Sequence, residues 1–291
     1  MRRAKLQIHL FKVRNTAEDG RTLEAMIDSI ASDGLEERIR TIGSGEVRLD
    51  AIEKKKKNGV RKWYIDFTRI RDTYGPGKAR RDTPVEGLDI GEDEFYGEEA
   101  AALYLPDQSY LLVQYNHYGV RPGAMQSYFS DYVDNEVNIY SFDVVLDKSA
   151  EARFKRGKYL TRFEIKVDVE ELTKADRDGG GALAEAAATA ARLNARTMTV
   201  AMSVGHERRR NLVGAKEVFW NFVNGNGAVE SAIVSSRETP EGQTELIDLI
   251  KGKLVHTVEI TPDAHRRLAA KDRFRALSQA YDKWQSRINA G

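Results

Sequence analysis

Asp143, Glu164 and Lys166 carry the one catalytic spelling in this chain: an acid on one predicted strand, then Glu-Ile-Lys on the next. Two carboxylates of this kind hold a divalent cation, the cation activates water for attack on a phosphodiester, and the lysine stabilises the developing charge. Alternation on a half-buried strand offers a second explanation, because it already turns Arg162, Glu164, Lys166 and Asp168 toward solvent. No other motif competes. Gly75-Pro76-Gly77-Lys78 lacks the earlier glycine of a phosphate loop, and Gly225-Asn226-Gly227 reads as a turn. With no cysteine there is no disulfide, thiolate metal site or cysteine nucleophile, and five scattered histidines suggest no metal site. Neither a metal nor a cofactor is expected.

The remaining candidate chemistry is electrostatic. Residues 1–81 hold 20 Lys/Arg against 12 Asp/Glu, residues 82–150 hold 2 against 14, and residues 151–291 hold 24 against 19. The net charge of +1 hides these blocks, and charge held in blocks makes strong local fields. Three basic clusters stand out: Lys54, Lys55, Lys56 and Lys57 with Arg61 and Lys62; Lys155, Arg156 and Lys158; and Arg208, Arg209 and Arg210. Cations on loops contact phosphates without reading bases, which gives affinity that falls steeply with salt. The alternative is that these runs are solvated loop tips.

The elements that must position these residues follow from hydrophobic period. Lys5–Phe11 alternates as a strand, and Leu23, Met26, Ile27 and Ile30 recur at helical spacing. Val47–Ile52 and Trp63–Ile70 form a hairpin turned at Asn58-Gly59, with the lysine run capping it. Residues 71–100 form a long charged loop. Ala101–Leu105 and Tyr110–Tyr115 make a second hairpin, and Pro122 starts a helix through Met125, Tyr128, Phe129 and Tyr132. Val137–Leu146 and Thr161–Val169 are expected to pair. A helix at Ala182–Leu193 and strands at Thr197–Val204 and Lys253–Ile260 follow. Pro262 and Asp263 open the last helix, which carries one stripe, Leu268, Phe274, Leu277, Tyr281, Trp284 and Ile288. That stripe is expected to pack in its own lobe, with a dimer seam as the alternative.

The pattern predicts an α+β fold with mixed or mainly antiparallel sheets and a long amphipathic C-terminal helix, in two lobes, 1–135 and 136–291. No apolar run approaches the ~20 residues of a membrane-spanning helix, and the start lacks the apolar core of a secretion signal, so a cytoplasmic protein without membrane insertion is expected.

Leu35-Glu36-Glu37-Arg38-Ile39-Arg40, Val47-Arg48-Leu49-Asp50 and the run Trp63–Arg71 resemble the opening of an uncharacterised prophage-associated family. The acidic run Glu92–Glu98 and Asp107, Leu111, Gln114, Asn116 and Gly119 fit the same pattern. More remotely, the mid-chain strand, Gly119, the helix from Pro122, the strand Arg162–Val169 and the helical C-terminus are similar to the RexA phage-exclusion family. The resemblance implies a non-enzymatic, dimeric protein that binds double-stranded DNA with little sequence preference, in phage exclusion or anti-phage defence. Two alternatives stay open: a PD-(D/E)xK-like nuclease built on Asp143, Glu164 and Lys166, and an interaction module that presents the acidic loop and terminal helix to a protein effector.

Overall fold

The computed structural model describes residues 3–16, 19–43, 45–72, 75–134, 138–172, 177, 181–205, 207, 209–225, 228–263 and 267–289. Its strands are β1 (Ala4–Asn15), β2 (Arg40–Ile42), β3 (Gly45–Lys57), β4 (Val60–Arg71), β5 (Tyr96–Leu105), β6 (Tyr110–Tyr115), β7 (Tyr140–Val144), β8 (Tyr159–Asp168), β9 (Thr197–Ser203), β10 (Val229–Arg237), β11 (Glu245–Asp248) and β12 (Val255–Ile260). The α-helices described are α1 (Leu23–Ala31), α2 (Pro122–Asp131), α3 (Lys148–Arg156), α4 (Ala182–Arg192), α5 (Ala215–Gly225) and α6 (Ala270–Ile288). The fold is α+β. A large sheet runs β12-β1-β6-β5-β4-β3-β2 with β7 also on β1, and a smaller one runs β11-β10-β8-β9. The strand pairings are antiparallel.

The central strands of the large sheet are apolar on both sides because both faces are covered. On β1, Leu6, Ile8 and Leu10 face α6, while Phe11 and Val13 belong to the other core. The α6 stripe Phe274, Leu277, Tyr281, Trp284 and Ile288 is buried on the first of these faces, and each such side chain contributes roughly 1.5–3 kcal/mol. The terminal helix therefore packs on its own chain. It begins at Ala270, later than the sequence pattern suggested.

The β3–β4 hairpin turns where expected, with Asn58 at φ 51° and Gly59 at φ 80°, the left-handed pair that a two-residue turn requires. Its lysines sit within the strand rather than at the cap, since Lys54 faces Trp63 and Lys57 faces Val60 across the ladder.

Two expectations meet a different arrangement. β7 pairs with β1, not with β8, which lies between β9 and β10. β1 is long enough to use one edge twice: Ala4–His9 pair with β12, and Phe11–Asn15 pair with β7. The two partners fork at Leu10, whose N–H donates to Leu254 O at 3.3 Å and whose carbonyl accepts from Val145 N–H at 3.3 Å. Between the arms of the fork, Leu254 N–H donates to Val145 O and Asp147 N–H to Gly252 O, both at 2.8 Å. A single boundary near residue 135 thus gives way to an insertion. Residues 147–252 leave and re-enter the large sheet at one place and carry the smaller sheet, whereas β7, β12 and α6 belong with the N-terminal strands.

Candidate functional site

The metal-site spelling is not assembled. Asp143 on β7 accepts from Arg14 Nη2 and Ser141 Oγ, each at 2.8 Å. Glu164 and Lys166 lie on β8 in the other sheet, where Glu164 accepts from Arg162 at 2.6 Å and Lys166 pairs with Glu230 at 2.8 Å. The three groups hold separate partners, because the expected β7–β8 pairing does not form. Among the described residues no group of three or more His, Asp or Glu is placed to hold a metal ion.

Most of the basic candidates are neutralised from within the chain. Lys54 pairs with Asp28 and lies over the Trp63 ring, Lys55 pairs with Glu53, and Arg61 grips Asp107 through its guanidinium and its own N–H. Lys62 is buried, its ammonium 3.7 Å from the Tyr281 ring centroid, and burial pulls its pKa down. On α3, Lys155 pairs with Glu151 at 2.6 Å, and Arg156 with Glu245 at 3.5 Å. Arg210 pairs with Glu207, and Arg208 lies outside the described residues. Lys56, Lys57, Lys158 and Arg209 remain exposed, and none of the ion pairs among the described residues includes them. The second and third clusters meet at the start of β8, since Asn211 Oδ1 and the Leu212 N–H bracket Leu160. The first lies on the other sheet.

A different set of cations converges at the fork. The cleft there has a volume of about 590 Å³ and lies where the inserted unit meets the large sheet. Its floor is the second face of β1, with His9 and Phe11, and the approach to β12 adds Lys253. Val255 stands opposite His9 in the ladder, so Lys253, two residues earlier, shares that face. The first turn of α2 closes one side with Arg121, Pro122 and Gly123. Pro122 sits at the first helical position, and no side chain caps the amides that follow. The positive end of the helix dipole therefore faces the cleft together with two basic side chains.

Gln126 Oε1 and Asn224 Oδ1 accept from the N–H groups of Phe142 and Val144, but two other buried polar atoms here lack, among the described residues, the partner that such atoms normally find. His9 stacks flat on Tyr115, with centroids 5.3 Å apart and 1° between planes, yet its Nε2 is buried with no hydrogen-bond partner. Arg121 Nε is buried and equally unpartnered. Burial, helped by the charge of Lys253, pushes His9 down to about 4, so its imidazole is neutral at pH 7. Burial, with Arg121 adding repulsion, pushes Lys253 down to about 8. The one carboxylate along the lining, Glu230, is engaged by Lys166. Among the described residues, positive charge thus gathers with no free anion to meet it, beside the apolar walls of Phe11, Phe142, Val144 and Val255.

A family model described as a family of unknown function, DUF6731, matches residues 11–288. The chain belongs to the DUF6731 family. The match takes in both sheets and the cleft lining from Phe11 onward, with His9 just before it. No curated protein matches this DUF6731 member.

Sequence reasoning passed over His9, Arg121 and Lys253. One signal was available: Gln7 and His9 occupy the same alternate positions as Phe11 and Val13, which places polar groups on a face that otherwise reads as core. Arg121 directly before a helix-starting proline is a second. Lys253 is isolated in the sequence and has no local signature.

Proposed function

We propose that this DUF6731 protein binds a small organic anion in the cleft at the fork. The observation that carries the reading is the convergence of Lys253, Arg121 and the uncapped start of α2 on a space whose one carboxylate among the described residues is already engaged. An anionic group would accept from Arg121 and the first-turn amides, and an apolar body would lie against Phe11, Phe142 and Val144. A molecule bound only to the native state at free concentration c stabilises it by RT ln(1 + c/Kd) and so raises the unfolding temperature with the logarithm of its concentration. Phosphate is expected to raise the midpoint relative to chloride at matched ionic strength, and Arg121→Gln is expected to lose that increment. Equal midpoints for the wild type in both salts would remove the reading.

A second reading, contact with double-stranded DNA, is favoured by the exposed Lys56, Lys57, Lys158 and Arg209. Four such cations would release few counterions, so log Kobs against log salt is expected to fall with a slope no steeper than about −4. A salt series with labelled duplex tests it, and absence of binding at low salt would end it.

A further inference from the structure

We propose that Lys253 is a reactive amine, whose Nζ forms a reversible imine with the carbonyl carbon of an aldehyde or ketone that also carries an anionic group held by Arg121 and the start of α2. This rests on the reading of the cleft as an anion site and adds a covalent step to it.

The setting of Lys253 differs from that of the other lysines withdrawn from water. Lys62 sits on the Tyr281 ring, and Lys216 donates to the carbonyls of Phe154 and Gly157. Lys253 has neither an aromatic face nor a carbonyl of this kind: among the described residues it has no ion-pair partner, and it lines a space large enough for a small molecule. Its backbone is fixed at the fork, bridged to Leu146 and followed by the Leu254 to Val145 hydrogen bond. An amine held in an apolar wall beside another cation keeps a sizeable uncharged fraction near neutral pH, the form that attacks carbonyls. His9, on the same face and uncharged, supplies the proton traffic.

The step balances without an oxidant or reductant. The Nζ lone pair attacks the carbonyl carbon, the C–N bond forms as the C=O π bond breaks, and His9 Nε2 relays one nitrogen proton to the carbonyl oxygen to give a carbinolamine. His9 Nε2 then takes the second nitrogen proton and delivers it to the departing hydroxyl. Water leaves as the C=N bond forms, so the net change is amine plus carbonyl to imine plus one water. The anionic group stays on Arg121 throughout, which fixes the carbonyl carbon next to one amine.

Pyridoxal 5′-phosphate is a suitable probe, because one small molecule carries an aldehyde and a phosphate. The full-length protein is incubated with the probe, reduced with borohydride, digested and mapped by mass spectrometry. The expected result is one label per chain, on Lys253, at probe concentrations at least tenfold below those that label exposed Lys56 and Lys57. Excess inorganic phosphate is expected to suppress it, and Arg121→Gln to lower it at least tenfold. Pyridoxine 5′-phosphate, which has the phosphate but no carbonyl, separates the two claims. If it binds the wild type while Lys253 stays unlabelled, the covalent step is wrong and the anion site stands. If it does not bind, both are wrong.

Discussion

Beneath α6, Arg273 is 3 % exposed and Asp66 4 %, and the guanidinium Nε donates to Asp66 Oδ1 at 3.0 Å while Nη1 lies 3.3 Å from Glu99. Across the same sheet, Lys253 and Arg121 enter the cleft with no free carboxylate among the lining residues. Both regions take cations out of water, and among the described residues only one compensates them. A buried ion pair with its hydrogen bonds made is near break-even in stability, whereas an uncompensated charge is a standing cost. The first arrangement fixes where α6 sits. The second is the arrangement that the proposed anion would complete from outside the chain.

The comparison breaks most visibly at Arg273. Arg273→Leu leaves the buried Asp66 under the helix without its cation, while Glu99 keeps Arg267, and is expected to cost about 3–5 kcal/mol in denaturant unfolding. A loss under 1 kcal/mol would mean that the pairing under α6 is incidental. Lys253→Met is expected to act in the opposite direction, raising stability at pH 7 by roughly 2 kcal/mol, because a charge without a partner is removed.

The pH dependence sharpens the same contrast. Lys253 titrates near 8 in the folded chain and near its ordinary value when unfolded. Between those values the unfolded state binds more protons, so wild-type stability is expected to rise with pH across that window. The groups facing it are His9, His117, Arg121, Glu230 and Lys251. The measured difference between wild type and Lys253→Met isolates the lysine. His9, lowered to about 4, has the same sign at acid pH. Wild type is expected to lose about 1 kcal/mol of stability by pH 5.5 through this residue, a loss that His9→Gln removes. The smallest effect belongs to cations in water: Lys56→Ala and Lys57→Ala are expected to stay within about 0.5 kcal/mol.

Local features were legible in the sequence. Asn58-Gly59 marked its hairpin, Pro122 its helix start, and the three- and four-residue spacing from Phe274 to Ile288 its buried stripe, because each is set by neighbours along the chain. The fork was not legible. Adjacent predicted strands suggest pairing with each other, and nothing local shows that the second half of β1 offers a free edge to β7. α3 went unseen because Lys148–Arg156 buries only Ala150 and has no apolar stripe. The basic clusters read as free for the same reason: the partners of Lys54, Arg61 and Lys62 are Asp28, Asp107 and Tyr281, all distant in sequence. Lys253 read as ordinary because its setting is made by β1, α2 and β12 together.

Calorimetric titration of pyridoxine 5′-phosphate at pH 7 into wild type, Arg121→Gln and the Lys56→Ala/Lys57→Ala double variant tests the central claim most directly. The expected result is one site per chain, weakened at least tenfold by Arg121→Gln and unchanged in the hairpin variant. Absence of binding to the wild type, or one Kd shared by all three proteins, would contradict the assignment of the cleft.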